Sequence, residues 1–144
     1  MVLTGVEQRF LETARVGRLA TADAAGRPAV VPICFAWLDG ALVSVVDEKP
    51  KTGGPTELRR LSDVRVNPFV AVVVDRYDED WSRLGWVQLR GRARVVEPGD
   101  DGHLAAIEVL REKYPAYHDH DLEGRPVIRV EPGHAVSWGD LEPR

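Results

Sequence analysis

This chain of 144 residues has one cysteine, three lysines and no long apolar run. The single cysteine, Cys34, excludes an internal disulfide and a zinc cluster built on several thiolates. The longest nearly apolar run covers residues 29–38 and contains Pro32, whereas a membrane-spanning helix needs about 20 apolar residues. The N-terminal residues reach Glu7 before any apolar stretch, which is unlike a secretory signal. We therefore expect a cytoplasmic protein with no membrane contact.

Acidic residues outnumber basic ones: the chain has 19 lysines and arginines and 23 aspartates and glutamates, which gives a net charge of −4. That balance argues against general nucleic-acid binding. Five cations nevertheless fall in one short segment, residues 49–65: Lys49, Lys51, Arg59, Arg60 and Arg65. Such a loop followed by a helix start is suited to bind a phosphate, and it is equally compatible with a solvated loop.

Hydrophobic residues make up 44% of the chain and charged residues 29%, which is typical of a globular protein with a buried core. No repeat or linker divides the sequence, so we expect a single domain over residues 1–144. Thr4 and Glu7 form a capping box that predicts a first helix, and Asp39-Gly40 predicts a hairpin. Strand patterns dominate between helices at early, middle and late positions. Together they predict an α+β fold with an antiparallel barrel.

Two strand predictions depend on prolines. Residues 28–38 are predicted as one strand, which must be bulged or at a sheet edge because Pro32 has no N–H to donate. Near the end of the chain, Pro132-Gly133 is expected to separate two strands, residues 125–131 and 134–138. Residues 86–96 alternate apolar and polar side chains, which is typical of a strand with one buried face.

Common catalytic motifs are absent. The sequence has no glycine-rich dinucleotide loop, phosphate-loop lysine, nucleophile elbow or zinc-protease motif. Cys34 lies between Ile33 and Phe35, so we interpret it as a small buried apolar residue and not as a nucleophile. The tract His118–Asp121 is more typical of a solvated loop than of a metal site, and we predict no metal.

The order of several short motifs resembles that of the pyridoxamine 5′-phosphate oxidase-like split β-barrels. The motifs are Leu19-Ala20-Thr21, Gly26-Arg27-Pro28, Val31-Pro32-Ile33, the basic segment ending in Asn67-Pro68, and residues 87–96 with Gly91 and Ala93. The resemblance covers roughly residues 6–140. Its segments 47–51 and 75–81 are similar to an actinobacterial branch that uses coenzyme F420, a deazaflavin, in place of FMN. Gly85 departs from the pattern, which has a bulky aromatic residue before Trp86.

The resemblance implies a six-stranded, Greek-key split barrel with peripheral helices that forms a homodimer. It implies that the ring of the cofactor lies against the second and third strands and that its phosphate is bound by basic residues of the following loop and helix, with Arg60 as the main ligand and Arg59 beside it. Lys49 and Lys51 would reach the phosphate or the acidic tail of the coenzyme. The remaining predicted cofactor-binding residues line the ring: Val31, Pro32, Val45 and Val46.

The function implied is a reductase that transfers hydride from reduced coenzyme F420 to an unsaturated small-molecule substrate. The cofactor supplies the chemistry in such an enzyme, which agrees with the absence of an evident nucleophile or acid–base pair. Two alternatives stay open at this point. One is an FMN-dependent oxidase or electron carrier of the same fold, and the other is a protein that stores a deazaflavin or a haem-like ligand without turnover.

Overall fold

The computed structural model describes residues 1–46 and 58–143, where one antiparallel sheet is accompanied by three α-helices. The helices are α1 (Gly5–Thr13), α2 (Arg59–Val66) and α3 (His103–Lys113). The strands are β1 (Gly17–Ala22), β2 (Pro28–Ile33), β3 (Ala36–Leu38), β4 (Ala41–Val45), β5 (Phe69–Arg76), β6 (Gly85–Val96) and β7 (Val127–Gly139). None of the helices in these ranges is long and apolar enough to cross a membrane.

The strand order β2-β1-β5-β6-β7-β4-β3 places β2 and β3 at opposite edges of the sheet. Only Cys34 and Phe35 separate the end of β2 from the start of β3. An extended chain covers about 11 Å over three residue steps, so the two edges must lie close together. The sheet is therefore curled into a half-barrel. The edge position of β2 also accommodates Pro32, as predicted from its missing N–H.

The described residues form seven strands and not the expected six, and residues 28–38 form two of them, β2 and β3. At the break, backbone groups of Cys34 and Phe35 bond to side chains. Ser44 Oγ donates to the Cys34 carbonyl at 2.7 Å, and the Phe35 N–H donates to the Tyr114 hydroxyl at 3.0 Å. These partners satisfy the backbone where the chain leaves one edge and joins the other.

The predicted break at Pro132-Gly133 is wrong, because β7 runs through it. A register shift between Arg90 and Gly91 of β6 lets the neighbouring strand pass Pro132 without ending. Gly91 is essential to this geometry, since a Cβ there would lie 2.1 Å from the Glu131 carbonyl oxygen. A similar approach explains the departure at Gly85, where a Cβ would lie 2.2 Å from the Asp140 carbonyl oxygen.

The sheet alternates between a buried inner face and an open outer face. Inner residues such as Leu19, Val72 and Leu89 pack with Leu11 of α1 in the larger core cluster. A second cluster joins α3 to the β3–β4 hairpin and to the start of β7. The outer face of β1, β2, β5, β6 and β7 is covered by no other element of the described chain, as its exposed Val30 and Phe69 show.

Candidate functional site

The adjacent arginines Arg59 and Arg60 open helix α2 as the sequence predicted, and they point to different surroundings. Leu61 and Val64 pack into the core, and Arg60 is buried with them at 8% exposure. The Arg59 side chain is half exposed. A buried arginine is rare unless it is paired or binds a ligand, so the surroundings of Arg60 are a candidate binding site.

Helix α2 is attached to the sheet through a buried carboxylate. Asp63, 3% exposed, accepts a hydrogen bond from Thr21 Oγ1 at 2.8 Å and another from Arg59 Nε at 3.2 Å. Thr21 belongs to β1, so the contact joins the helix to the strand beside edge strand β2. A charge that is removed from water needs such partners.

The β1–β2 hairpin provides a second attachment. Asp23 accepts hydrogen bonds from the N–H groups of Ala25 and Arg27 at 2.9 Å. The Arg27 side chain also donates to it, and this bond, followed by the bonds from the backbone, lowers the pKa of Asp23 to about 2. Arg59 Nη2 donates to the Arg27 carbonyl at 2.9 Å, which ties the start of α2 to this turn. Helix α2 is thus attached both to strand β1, through Asp63, and to the β1–β2 turn, through Arg59.

Arg60 lies between two pockets at the split of the half-barrel. The first has a volume of about 320 Å³, and its walls include Pro32, Cys34, Ser44, Val45 and Tyr117. The second, of about 280 Å³, lies along edge strand β2 and is lined by Val31, Leu58 and Arg59 among others. A guanidinium that lines two pockets can bind the anionic group of a ligand whose other parts lie in those pockets.

Lys113 at the end of α3 is partly buried, with its ammonium group against Phe35. Lys113 Nζ is 3.9 Å from the centre of the Phe35 ring and has no hydrogen-bond acceptor among the described residues. Burial, followed by the positive charge of Arg15, lowers the pKa of Lys113 to about 8, while Cys34 and Glu12 act in the opposite direction. The ammonium form is therefore a cost to the folded state near neutral pH.

We expect Lys113→Met to be more stable than the wild type by about 1 kcal/mol at pH 7, an amount reduced for the partial exposure of the side chain. The folded-state pKa is below the unfolded value, so the wild type regains this stability as the pH rises from about 8 to about 10.5. Urea denaturation at pH 7, 9 and 10.5 measures the difference. The difference in free energy of unfolding between Lys113→Met and the wild type should disappear at the highest pH. Glu112→Gln, which changes an exposed neighbour, should differ from the wild type by an amount that does not change with pH. A difference that is constant with pH contradicts the assignment.

The pockets bring together some of the residues that the sequence predicted. Arg60, Pro32 and Val45 line the first pocket, and Arg60, Arg59 and Val31 line the second. Val46 lies in the core at 3% exposure and lines neither. Lys49 and Lys51 fall outside the described residues, so their role stays a prediction.

The sequence did not predict Ser44 and Tyr117 as residues of the pocket, and it predicted Cys34 as a buried core residue. Cys34 is only partly buried and lines the first pocket. Ser44 had a signal, since it is the single polar residue of the apolar strand β4. Tyr117 had none, because its position depends on the short helical turn Pro115–Asp119 after α3 and on ring contacts with Tyr114 and His120.

The histidines of the tract His118–Asp121 form hydrogen bonds to nearby carbonyl groups. Within the ranges that the structure describes, no group of three histidine, cysteine or acidic side chains could hold a metal ion. A ring nitrogen of His118 bonds to the Arg111 carbonyl at 2.9 Å, and one of His120 bonds to the Ala116 carbonyl at 2.7 Å. These two side chains stabilise the turn after α3.

A larger groove lies on the outer face of the sheet, away from the core. Its volume is about 670 Å³, and its floor is formed by small residues of neighbouring strands, including Ala20, Ala71 and Gly91. Phe69 stands at its side with the Arg92 guanidinium 4.7 Å above the ring. An open, mainly apolar surface of this kind is typical of an interface.

A family model matches nearly the whole sequence. Residues 3–139 match the family model described as pyridoxamine 5′-phosphate oxidase. No curated protein matches the sequence significantly. The match spans the sheet, all three helices and both pockets, so it concerns the fold and the site together.

Solved structures agree with this match. An FAD-binding protein from Mesorhizobium loti is 26% identical, with coverage of 94% of each chain and a TM-score of 0.67. An F420 reductase is 24% identical, covering 94% of this chain and 98% of the other at a TM-score of 0.66. The haem storage protein of Vibrio cholerae is 19% identical, with 96% and 95% covered and a TM-score of 0.74. The last two likenesses show the shared fold alone.

Proposed function

Since this chain belongs to the pyridoxamine 5′-phosphate oxidase family, we propose that it is an oxidoreductase that uses coenzyme F420 to reduce an unsaturated small molecule. The observation that carries the proposal is the buried Arg60 guanidinium between two pockets at the split of the sheet. An F420 reductase with the same fold supports the choice of cofactor. The residues present therefore fit a ring-bearing phosphoester.

Arg60 is the residue proposed to bind the phosphate. Charge-assisted hydrogen bonds to such a group contribute roughly 1.5–3 kcal/mol each, which makes one well-placed arginine a large part of cofactor affinity. Lys49 and Lys51 are proposed to add to it, or to bind the acidic tail of the coenzyme. Pro32 and Val45 offer apolar contacts for the ring, and Ser44 and Tyr117 also line this pocket.

When bound in its reduced form, the deazaflavin supplies a hydride from C5, so the protein needs no nucleophile of its own. The task of the chain is to orient cofactor and acceptor and to keep water out. The attachments of α2 and the apolar residues that line both pockets are suited to that task. The second pocket, along β2 on the other side of Arg60, is proposed to receive the acceptor.

The proposal is tested by titrating the purified protein with oxidised coenzyme F420, with FMN and with FAD while following fluorescence quenching. We expect the deazaflavin to bind most tightly. Tighter binding of FMN or FAD would show that the cofactor is a flavin and not the deazaflavin. Reduced coenzyme is then offered with quinone, enone and tetrapyrrole acceptors, and its oxidation is followed by absorbance.

Two other functions stay in view because solved relatives support them. The FAD-binding protein at 26% identity supports a flavin enzyme of the same fold, and the haem storage protein supports a binding role without turnover. Tight binding of reduced coenzyme without oxidation by any acceptor would favour storage. Absorbance titration with haemin distinguishes that ligand from the deazaflavin.

We also propose that the protein is a homodimer joined through the outer face of the sheet. Phe69 is 61% exposed there and Trp138 54%, in a face that no other described element covers. The same face carries cations and acids in neighbouring positions, such as Arg92 opposite Glu131, which a second copy of the chain can match.

Ala71→Glu is expected to convert the dimer into a monomer, because it places a charge in the middle of the outer groove. The side chain points away from the core, between inward-facing Val70 and Val72, so the fold should be retained. Sedimentation velocity and circular dichroism measure the two effects. Leu104→Glu, an exposed site on α3, is the control and should stay dimeric. A wild type that sediments as a monomer would contradict the proposed dimer.

A further inference from the structure

The carboxylate of Asp63 is the deepest charged group next to the proposed phosphate ligand. Asp63 follows Arg60 by three positions in α2, so the two side chains leave neighbouring points of one helix face. Both are buried, at 3% and 8% exposure. The carboxylate would oppose an anionic ligand unless its charge were already matched within the protein.

The hydrogen bonds of Asp63 provide that match. Thr21 Oγ1 donates to Oδ2 at 2.8 Å, and Arg59 Nε donates to the same oxygen at 3.2 Å. Arg59 in turn donates from Nη2 to the Arg27 carbonyl at 2.9 Å. Thr21, Asp63, Arg59 and the Arg27 carbonyl thus form a chain of contacts from β1 to the β1–β2 turn.

Helix α2 depends on these contacts for its position. It has only eight residues, and the residue before it, Leu58, provides no side-chain cap. Short helices obtain little stability from their own hydrogen bonds, so tertiary contacts fix where they lie. The contacts of Asp63 and Arg59 hold the turn of α2 that also carries Arg60.

We propose that Asp63 and Arg59 are positioning residues that hold Arg60 in place for an anionic phosphoester, and that neither is itself a ligand. The inference rests on the proposed function and assigns Arg59 a different role from the direct contact that the sequence suggested. Small displacements of a binding group weaken binding strongly, which is how residues outside the ligand shell affect affinity.

A double-mutant cycle tests the proposal with the full-length protein and coenzyme F420 or FMN as the probe. Asp63→Asn keeps the size of the side chain and removes its charge, and we expect it to weaken binding about tenfold. Added to Arg60→Ala, it should cost less than twofold more, because its effect passes through Arg60. Loss of another tenfold in the double variant would overturn the proposal, since a merely structural role would be additive.

Arg59→Lys separates position from charge. Lysine keeps the positive charge but cannot bond to Asp63 and to the Arg27 carbonyl together, so we expect the same tenfold loss. Affinity at the wild-type level would identify Arg59 as a direct charge contact and reject the positioning role. Arg65→Ala is the matched control, because it removes an ion pair of α2 with Glu97, at 2.7 Å, on the far turn. It should leave affinity unchanged.

Inorganic phosphate provides a readout that does not depend on which cofactor is bound. It should raise the thermal midpoint of the wild type and of Arg65→Ala, and have little effect on Arg60→Ala or Asp63→Asn. This result supports the proposal even if neither coenzyme F420 nor FMN binds, which would reject the proposed function alone. Equal stabilisation of all four proteins, or of none, would overturn the inference.

Discussion

Replacing Arg60 by alanine is expected to weaken the binding of the deazaflavin, or of FMN, by about 10–100-fold. The guanidinium is buried between two pockets, where water competes poorly for its hydrogen bonds. Removing it takes away a charge-assisted contact and enlarges the cavity. Fluorescence quenching measures the dissociation constant, and circular dichroism shows whether the variant is folded.

Two further variants make this result specific. Arg60→Lys keeps the charge but loses the planar arrangement of donors, and it should recover only part of the affinity. Arg65→Ala removes an exposed arginine from the same helix and should change nothing, since its side chain is paired with Glu97 away from the pockets. An unchanged dissociation constant for Arg60→Ala would mean that the phosphate binds elsewhere.

Gly91→Ala is expected to lower the free energy of unfolding by at least about 3 kcal/mol. A Cβ at this position would lie 2.1 Å from the Glu131 carbonyl oxygen and 2.8 Å from the Cα of Pro132. Both atoms belong to the backbone of β7, so neither can turn aside as a side chain would. Relief requires the longest strand pair of the sheet to separate at its bulge.

Urea denaturation followed by tryptophan fluorescence measures this loss. Gly124→Ala is the control, because a Cβ there meets no atom within 4 Å and the residue has no positive φ. Its stability should match that of the wild type. If Gly91→Ala were as stable as the control, the close approach of the two strands at the bulge would not exist in solution.

Local features of the fold were predictable because they depend on neighbouring residues. The capping box of Thr4 and Glu7 forms at the start of α1, with both hydrogen bonds present. Asp39 and Gly40 form the hairpin turn with positive φ at both positions, as the predicted turn type requires. The alternation in residues 86–96 became the two-faced strand β6. Each of these patterns has its physical cause within a few positions of the chain.

Two strand boundaries were predicted wrongly because the contacts that determine them come from residues distant in sequence. The break after Ile33 is stabilised by the Tyr114 hydroxyl, which lies 79 positions from Phe35. The continuity of β7 through Pro132 depends on a register shift in β6, about 40 residues earlier. A local proline signal could not reveal either, because the compensating groups come from other elements.

The sequence by itself determined the class of the molecule: an α+β chain with scarce positive charge, a cluster of arginines before Asn67-Pro68, and motifs of one family. Only the tertiary structure decided how the arginine pair divides. Arg59 is turned to Asp63 and the Arg27 carbonyl, whereas Arg60 is buried between two pockets. The physical reason is that adjacent residues of a helix point about 100° apart. Arg59 reaches Asp63 within its own helix, but which of the two arginines faces the Arg27 carbonyl and which faces the pockets depends on where β1 and β2 lie against that helix.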